Sequence, residues 1–244
     1  MNRLALVDAA RGLAIVQMVV YHLCFDLNYF GWIHVRLLTD PAWMAWRNGI
    51  VTQFLFLAGV SLALGAGAPG APSARFWRRW LQIAGCAALV SAGSALLFGP
   101  RFIWFGVLHF VACAQLLLRP LVRGRQAPAR ALALGVLVLA VGLSVHLAVF
   151  SRDALSWIGF SAIKPQTEDF VPLLPWLGVM LLGVAVGPWM RRHAAPRTAI
   201  AQAGPLARSL QALAQIGRWP LRIYMLHQPI LMGVLAGVAQ LSHG

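Results

Sequence analysis

The sequence predicts an all-α integral membrane protein: a bundle of about seven transmembrane helices, N-terminus cytoplasmic and C-terminus outside. Three observations carry this. The 244 residues are 60% hydrophobic and only 11% charged, where a soluble domain carries about 25% charged residues. Mean hydropathy is +0.74, and several apolar runs approach the ~20 residues that cross a bilayer. The basic residues, all arginine except Lys164, collect in alternate loops.

Seven spans are expected at roughly 9–30, 48–66, 80–98, 103–119, 131–150, 172–190 and 219–241. Arg75, Arg78 and Arg79 follow the second. Arg119, Arg123, Arg125 and Arg130 follow the fourth, and Arg191, Arg192, Arg197 and Arg208 the sixth. The opposite loops hold Arg36, Arg47, Arg101, Arg152 and Lys164, diluted by Asp40, Asp153, Glu168 and Asp169. The positive-inside rule therefore puts the N-terminus in the cytoplasm. The stretches 31–47 and 151–171 are the longest outer loops and can fold back as a lid or rim. A polar stretch containing Pro205 precedes the last span. No soluble domain is expected, so residues 1–244 read as one transmembrane domain. No internal repeat is visible, which argues against repeat-built transporters. The first apolar run passes into Phe25-Asp26-Leu27-Asn28 without a small-residue cleavage site, so it is expected to stay as an uncleaved helix.

The formal net charge of +14 suits an anionic membrane leaflet better than a duplex, because its arginines sit in short loops between spans. A nucleic-acid partner is not expected. Cys24, Cys86 and Cys113 are odd in number, lie in apolar runs and lack CxxC spacing, so they read as small buried hydrophobes. His22, Asp26 and His109 have no metal-motif spacing, and no metal is expected.

The first span is the chemically unusual one. Val7–Asp26 reads VDAARGLAIVQMVVYHLCFD, apolar yet carrying Asp8, Arg11, His22 and Asp26. Such groups cost roughly 2.5–3.5 kcal/mol each at a helix centre on insertion scales, which makes them functional candidates. Arg11 and His22 lie about 16 Å apart along the axis, so the Asp8–Arg11 pair and the His22–Asp26 pair belong near opposite faces. Asp26 is four residues beyond His22 on the same helix face, where a carboxylate can fix an imidazole's tautomer. His109 in FGVLHF, Trp104, Asp169 before VPLLPW, and His34 fall on the same outer side. His227 lies beside Pro229, which frees a backbone carbonyl within the last span. In RFWRRW, Arg75 and Arg78 share a helical face with Arg79 nearby, and planar guanidinium groups suit phosphate.

These residues match a known pattern. VDAARGLAIVQMVVYH resembles the opening of the acyltransferase-3 superfamily of membrane acyltransferases, with Arg11-Gly12 and His22 at that family's spacing. QFLFLAGVSLAL, Arg75-Phe76-Trp77-Arg78 and IYMLHQP follow in the expected order. The fuller match, with FGVLHF, VPLLPWLGV and GRWPLRIYMLHQP, is most similar to bacterial relatives of the heparan-alpha-glucosaminide N-acetyltransferase catalytic domain, over nearly the whole chain. The resemblance implies transfer of an acetyl group from cytoplasmic acetyl-CoA to a saccharide-type acceptor on the far side. It gives His22 the place of the catalytic histidine, and Arg75 and Arg78 the place of an Arg-x-x-Arg element for the acyl-CoA donor.

The eukaryotic heparan enzymes carry an Asn where His22 stands and keep their catalytic His in the loop that follows. His34 is the nearest residue here, one position out of register, so both histidines remain candidates for the base. The expected machinery is therefore His22, Asp26 and His34 for catalysis and Arg11, Arg75, Arg78 and Arg79 for the donor. His109, Trp104, Asp169 and His227 are expected to face the acceptor. A transporter of a small polar solute is the competing reading: it would use intramembrane charge without needing a donor-binding arginine cluster.

Overall fold

The computed structural model describes residues 4–37, 39–66, 73–124, 126–193 and 205–243; Arg125 and Arg197 lie outside them. The described residues are helical, with one isolated bridge between Phe105 and Phe170. In chain order the helices are α1 (Ala5–Tyr29), α2 (Pro41–Ala66), α3 (Ser73–Phe98), α4 (Val107–Leu118), α5 (Ala127–Ser144), α6 (Asp153–Ser156), α7 (Leu173–Arg192), α8 (Pro205–Ile216) and α9 (Pro220–His243). Six of them (α1, α2, α3, α5, α7 and α9) are long and apolar enough to cross a membrane.

α2 and α3 each begin seven residues before the expected spans, so part of the expected outer loop 31–47 is helical, and two further elements differ in kind. The fourth span, expected at 103–119, begins only at Val107 and is 12 residues long. The cause is local. Gly99 turns the chain at φ +54°, and the segment after it pairs with residues 167–171 instead of coiling. Val171 N–H donates to the Phe105 carbonyl at 3.2 Å, and the Thr167 hydroxyl to the Phe102 carbonyl at 2.7 Å. Backbone groups that would close a helical turn are thus satisfied across the strap. The second difference is α8, inside the polar stretch before the last span. It is an amphipathic helix, and an apolar stripe on a polar sequence leaves no transmembrane signal.

The chain divides into two compact units, Leu55–Ala194 and Asn2–Phe54 with Ala195–Gly244. In the second of these, α1 is the central strut. A Cβ on Gly12 would collide with the Leu213 carbonyl, and one on Gly217 with the Asp8 carbonyl, so backbone lies directly on backbone at both points. Small residues permit that approach. Arg11 Nη1 binds Asp8 Oδ1 at 2.7 Å and the Gly217 carbonyl at 3.1 Å, tying α1 to the α8–α9 junction. Further along, Met18 and Tyr21 of α1 pack with Leu37 and Ile50, and Trp43, Trp46, Phe54 and Tyr224 close around them. The chain leaves α1 through Gly31 at φ +74°, and Val35 N–H returns to Asn28 Oδ1 at 2.8 Å.

In the unit Leu55–Ala194, α7 has the corresponding role. Gly59 of α2 meets the Met180 carbonyl, and Gly183 of α7 meets the Phe56 carbonyl. On its other side α7 takes α5, with Gly142 seated on Pro175 and Gly135 close to Gly178 and Leu181. α3 holds α4 through Trp80 Nε1, which donates to the Ala112 carbonyl at 2.9 Å.

Because the α1–α8 contact leaves no room for a side chain, Gly217→Ala is expected to destabilise the protein by about 1–3 kcal/mol. Gly233→Ala, on an open face of α9, should leave stability unchanged or raise it slightly. Thermal unfolding of both variants in detergent is the check.

Candidate active site

α1 and α9 bring two histidines together. His22 Nδ1 lies 2.8 Å from the Met18 carbonyl, the next turn of its own helix. His227 Nδ1 lies 2.7 Å from the Tyr224 carbonyl and 3.2 Å from that of Ile223. A carbonyl oxygen only accepts, so each Nδ1 is the protonated nitrogen and each neutral ring offers Nε2 as an acceptor. The two rings meet edge to face with centroids 4.8 Å apart. Pro229 sits two residues beyond His227 and has no N–H; the carbonyl it frees is that of Met225, not one of the two that His227 uses.

Asp26 stands one turn past His22 and is 0% exposed. Its Oδ1 accepts a hydrogen bond from Gln228 Nε2 at 2.7 Å. The carboxyl that was expected to orient His22 is thus bonded across to α9, while the Met18 carbonyl holds the His22 Nδ1–H. Sequence reasoning did not single out Gln228. Its signal was available: an amide next to His227 inside an apolar span. Four buried polar atoms have no hydrogen-bond partner among the described residues: Asp26 Oδ2, Gln228 Oε1, His227 Nε2 and the Tyr21 hydroxyl oxygen. All four lie on α1 or α9. Gln228 Oε1 and His227 Nε2 only accept in these forms, so the α1–α9 contact offers acceptors and suits a ligand that brings N–H or O–H groups.

A second polar chain crosses from α1 to α2 in the same unit. Gln17 Nε2 donates to Gln53 Oε1 at 3.0 Å, and Gln17 Oε1 accepts from Trp46 Nε1 at 3.3 Å. Gln17 holds both neighbours and was also missed, because a lone amide in a span carries no charge signal. The Gln53 amide nitrogen is left as the donor end of this chain. Trp43 and Trp46 edge the Tyr21 ring at 6.0 and 5.5 Å. His34 lies in the loop after α1 and is exposed.

The remaining predicted residues belong to the unit Leu55–Ala194. Arg75, Arg78 and Arg79 are exposed on the first turns of α3. Arg119, at the end of α4, joins them: its guanidinium lies 4.5 Å from the Phe76 ring and 4.9 Å from the Trp77 ring. Such stacking fixes a guanidinium in place.

His109 and Asp169 organise the start of α4. His109 Nδ1 accepts the Gly106 N–H at 3.3 Å, and its Nε2 is 3.0 Å from the Ser91 hydroxyl. That hydroxyl donates to the Ile103 carbonyl at 2.6 Å, so it receives the His109 Nε2–H. Asp169 Oδ2 accepts the Val107 N–H at 2.9 Å, the role of a helix N-cap supplied from 62 residues away. A Cβ on Gly106 would collide with that carboxylate. Trp104 rides on the segment so held, its ring 5.9 Å from Phe170. Among the described residues no group of three or more His, Cys, Asp or Glu is placed to hold a metal ion.

Gln228→Leu removes the only described partner of a fully buried carboxyl. It is expected to lower stability by about 1–3 kcal/mol, whereas Gln228→Glu, able to donate when protonated, should recover part of the loss. Denaturation midpoints of the purified variants test this.

No curated protein and no solved structure matches the chain. Residues 3–229 match the family model described as heparan-alpha-glucosaminide N-acetyltransferase, catalytic. That match takes in both histidines of the α1–α9 contact, the arginines of α3 and the α4 cap. With six long apolar helices, this is a multi-pass integral membrane protein, and the chain belongs to the catalytic family of the heparan-alpha-glucosaminide N-acetyltransferases.

Proposed function

We propose that the protein transfers an acetyl group from cytoplasmic acetyl-CoA to an amino or hydroxyl group of a saccharide-type acceptor on the other side of the membrane, with His22 as general base. The observation that carries this reading is the bond from His22 Nδ1 to the Met18 carbonyl. It leaves Nε2 unprotonated, which is what a base needs before the reaction starts. The family match over 3–229 supports acetyl transfer as the reaction and one catalytic domain across 1–244.

In this mechanism the acceptor N–H or O–H gives its proton to His22 Nε2 as its lone pair attacks the thioester carbonyl. The tetrahedral intermediate then collapses, the C–S bond breaks, and the imidazolium returns the proton to the CoA sulfur. Atoms and charge balance without a metal. The Gln53 amide nitrogen or a tryptophan indole nearby supplies a neutral donor to the oxyanion. His227 offers a second Nε2 beside the first and contacts the acceptor. Asp26, anchored by Gln228, accepts from it as well. Arg75, Arg78 and Arg79, joined by Arg119, bind the phosphates of the donor nucleotide at the Arg-rich cytoplasmic end. Arg11, tied to Asp8 and Gly217, is the other arginine proposed for the donor. Trp104 stacks on the sugar, and His109 and Asp169 hold the segment that carries it. His34 is the other base that the sequence offers.

The test is CoA release by protein in lipid, given acetyl-CoA and a panel of amino sugars and polyols. His22→Ala is expected to lower acceptor-dependent turnover by about 10²–10⁴-fold, the usual contribution of a general base, while His34→Ala stays within a few-fold of wild type. Turnover that survives His22→Ala and fails with His34→Ala would move the base into the loop. No CoA release with any acceptor, together with solute flux, would favour the transporter.

A further inference from the structure

The α5–α7 pair closes tightly along one part of its length and opens at the other. Gly142 rests on Pro175, and Gly135 is packed against Gly178, Leu181 and Leu182. Beyond Gly135, towards the start of α5 and the end of α7, this run of glycines stops. Pro128, Ala129 and Leu132 there face Ala185, Val186 and Trp189 around a cleft of about 400 Å³. The lining has no carboxylate, hydroxyl or cationic side chain, so a sugar or nucleotide would be desolvated there without compensation. Leu132 and Trp189 are 52% and 60% exposed. Both helices are apolar enough to span a membrane, so the cleft opens onto lipid hydrocarbon.

Its mouth is basic. Arg130 follows Ala129 on α5, and its Nη2 would lie 3.5 Å from a Cβ built on Gly124. The side chain therefore runs back past the helix start, away from the hydrocarbon. Arg191 and Arg192 close the last turn of α7. His193 lies against the Trp189 ring with centroids 4.9 Å apart, as expected of an indole at a membrane interface. The segments 121–133 and 185–193 contain no acidic residue. The cleft volume is roughly a dozen times the ~30 Å³ of one water, close to a methylene's size, so it takes much of one acyl chain and no more.

We propose that this cleft is a binding site for one anionic diacyl phospholipid, with an acyl chain between α5 and α7 and the phosphate among Arg130, Arg191 and Arg192. A zwitterionic lipid fills the same hydrocarbon space but brings its own cation against the three arginines, so the site discriminates by headgroup charge. It rests on neither acetyl-CoA nor His22, and its failure would leave the proposed reaction untouched.

The experiment uses the full chain, purified, delipidated and offered phosphatidylglycerol or phosphatidylcholine with identical acyl chains. Retained lipid is counted by native mass spectrometry, and the melting temperature is read in parallel. Wild type is expected to retain one phosphatidylglycerol, with a preference over phosphatidylcholine of roughly tenfold, and to melt higher with it. Inorganic phosphate at matched ionic strength should give no shift. The triple variant Arg130→Gln, Arg191→Gln, Arg192→Gln should bind both lipids equally, while the corresponding lysine triple keeps the preference. Ala185→Leu, which fills the cleft, should lower retention of both lipids. Equal retention by wild type, a preference surviving the glutamine triple, or retention unchanged in Ala185→Leu would each overturn the proposal.

Discussion

A helix that carries Asp8, Arg11, His22 and Asp26 into a membrane is stabilised by finding partners for them within the protein. Most of the unit around α1 follows from that constraint. Arg11 is held by Asp8 and by the Gly217 carbonyl, which requires the α8–α9 junction to lie on α1, which in turn requires glycine at 12 and 217. Asp26 takes Gln228 from α9, and His22 takes the Met18 carbonyl of its own helix. The polar residues are thus both the reason α9 docks on α1 and the contents of the contact.

The histidines show how backbone chemistry prepares a base without an acidic partner. In a helix, a residue's carbonyl normally accepts the N–H four positions on and keeps a lone pair to spare. Met18 and Tyr224 give that lone pair to an imidazole Nδ1–H. The tautomer is set, and neither ring needs a carboxylate for it. The other unit treats His109 differently: both of its nitrogens are engaged by Gly106 and Ser91, so it serves the geometry of α4. Two His22-like arrangements and one satisfied cap separate histidines that look alike as letters in an apolar run.

Hydropathy was enough to read the six long helices and the membrane class, since the bilayer imposes length and composition directly. It failed at α4 because Gly99 and the pairing of Phe105 with Phe170 trade helical hydrogen bonds for a strap, a tertiary choice that no window detects. It failed at α8 because amphipathic helices average out. Within the candidate site, His22, Asp26 and His227 were legible because ionisable groups in a span stand out. Gln17, Gln228 and Ser91 were not, being neutral, although Gln228 holds Asp26 and Ser91 holds His109. The pairing of Asp26 with Gln228 depends on α9 returning beside α1 from 202 residues away, and spacing along one helix had suggested His22 instead.

The claim on which the account turns is that His22 is a neutral imidazole protonated at Nδ1 before substrate arrives. Nitrogen-15 solid-state NMR of histidine-labelled protein in lipid, compared with His22→Asn, reads this directly. The expected difference between the two spectra is an Nδ1–H, bare-Nε2 imidazole. An Nε2–H tautomer or an imidazolium in that difference would contradict it, and the base would have to be sought elsewhere.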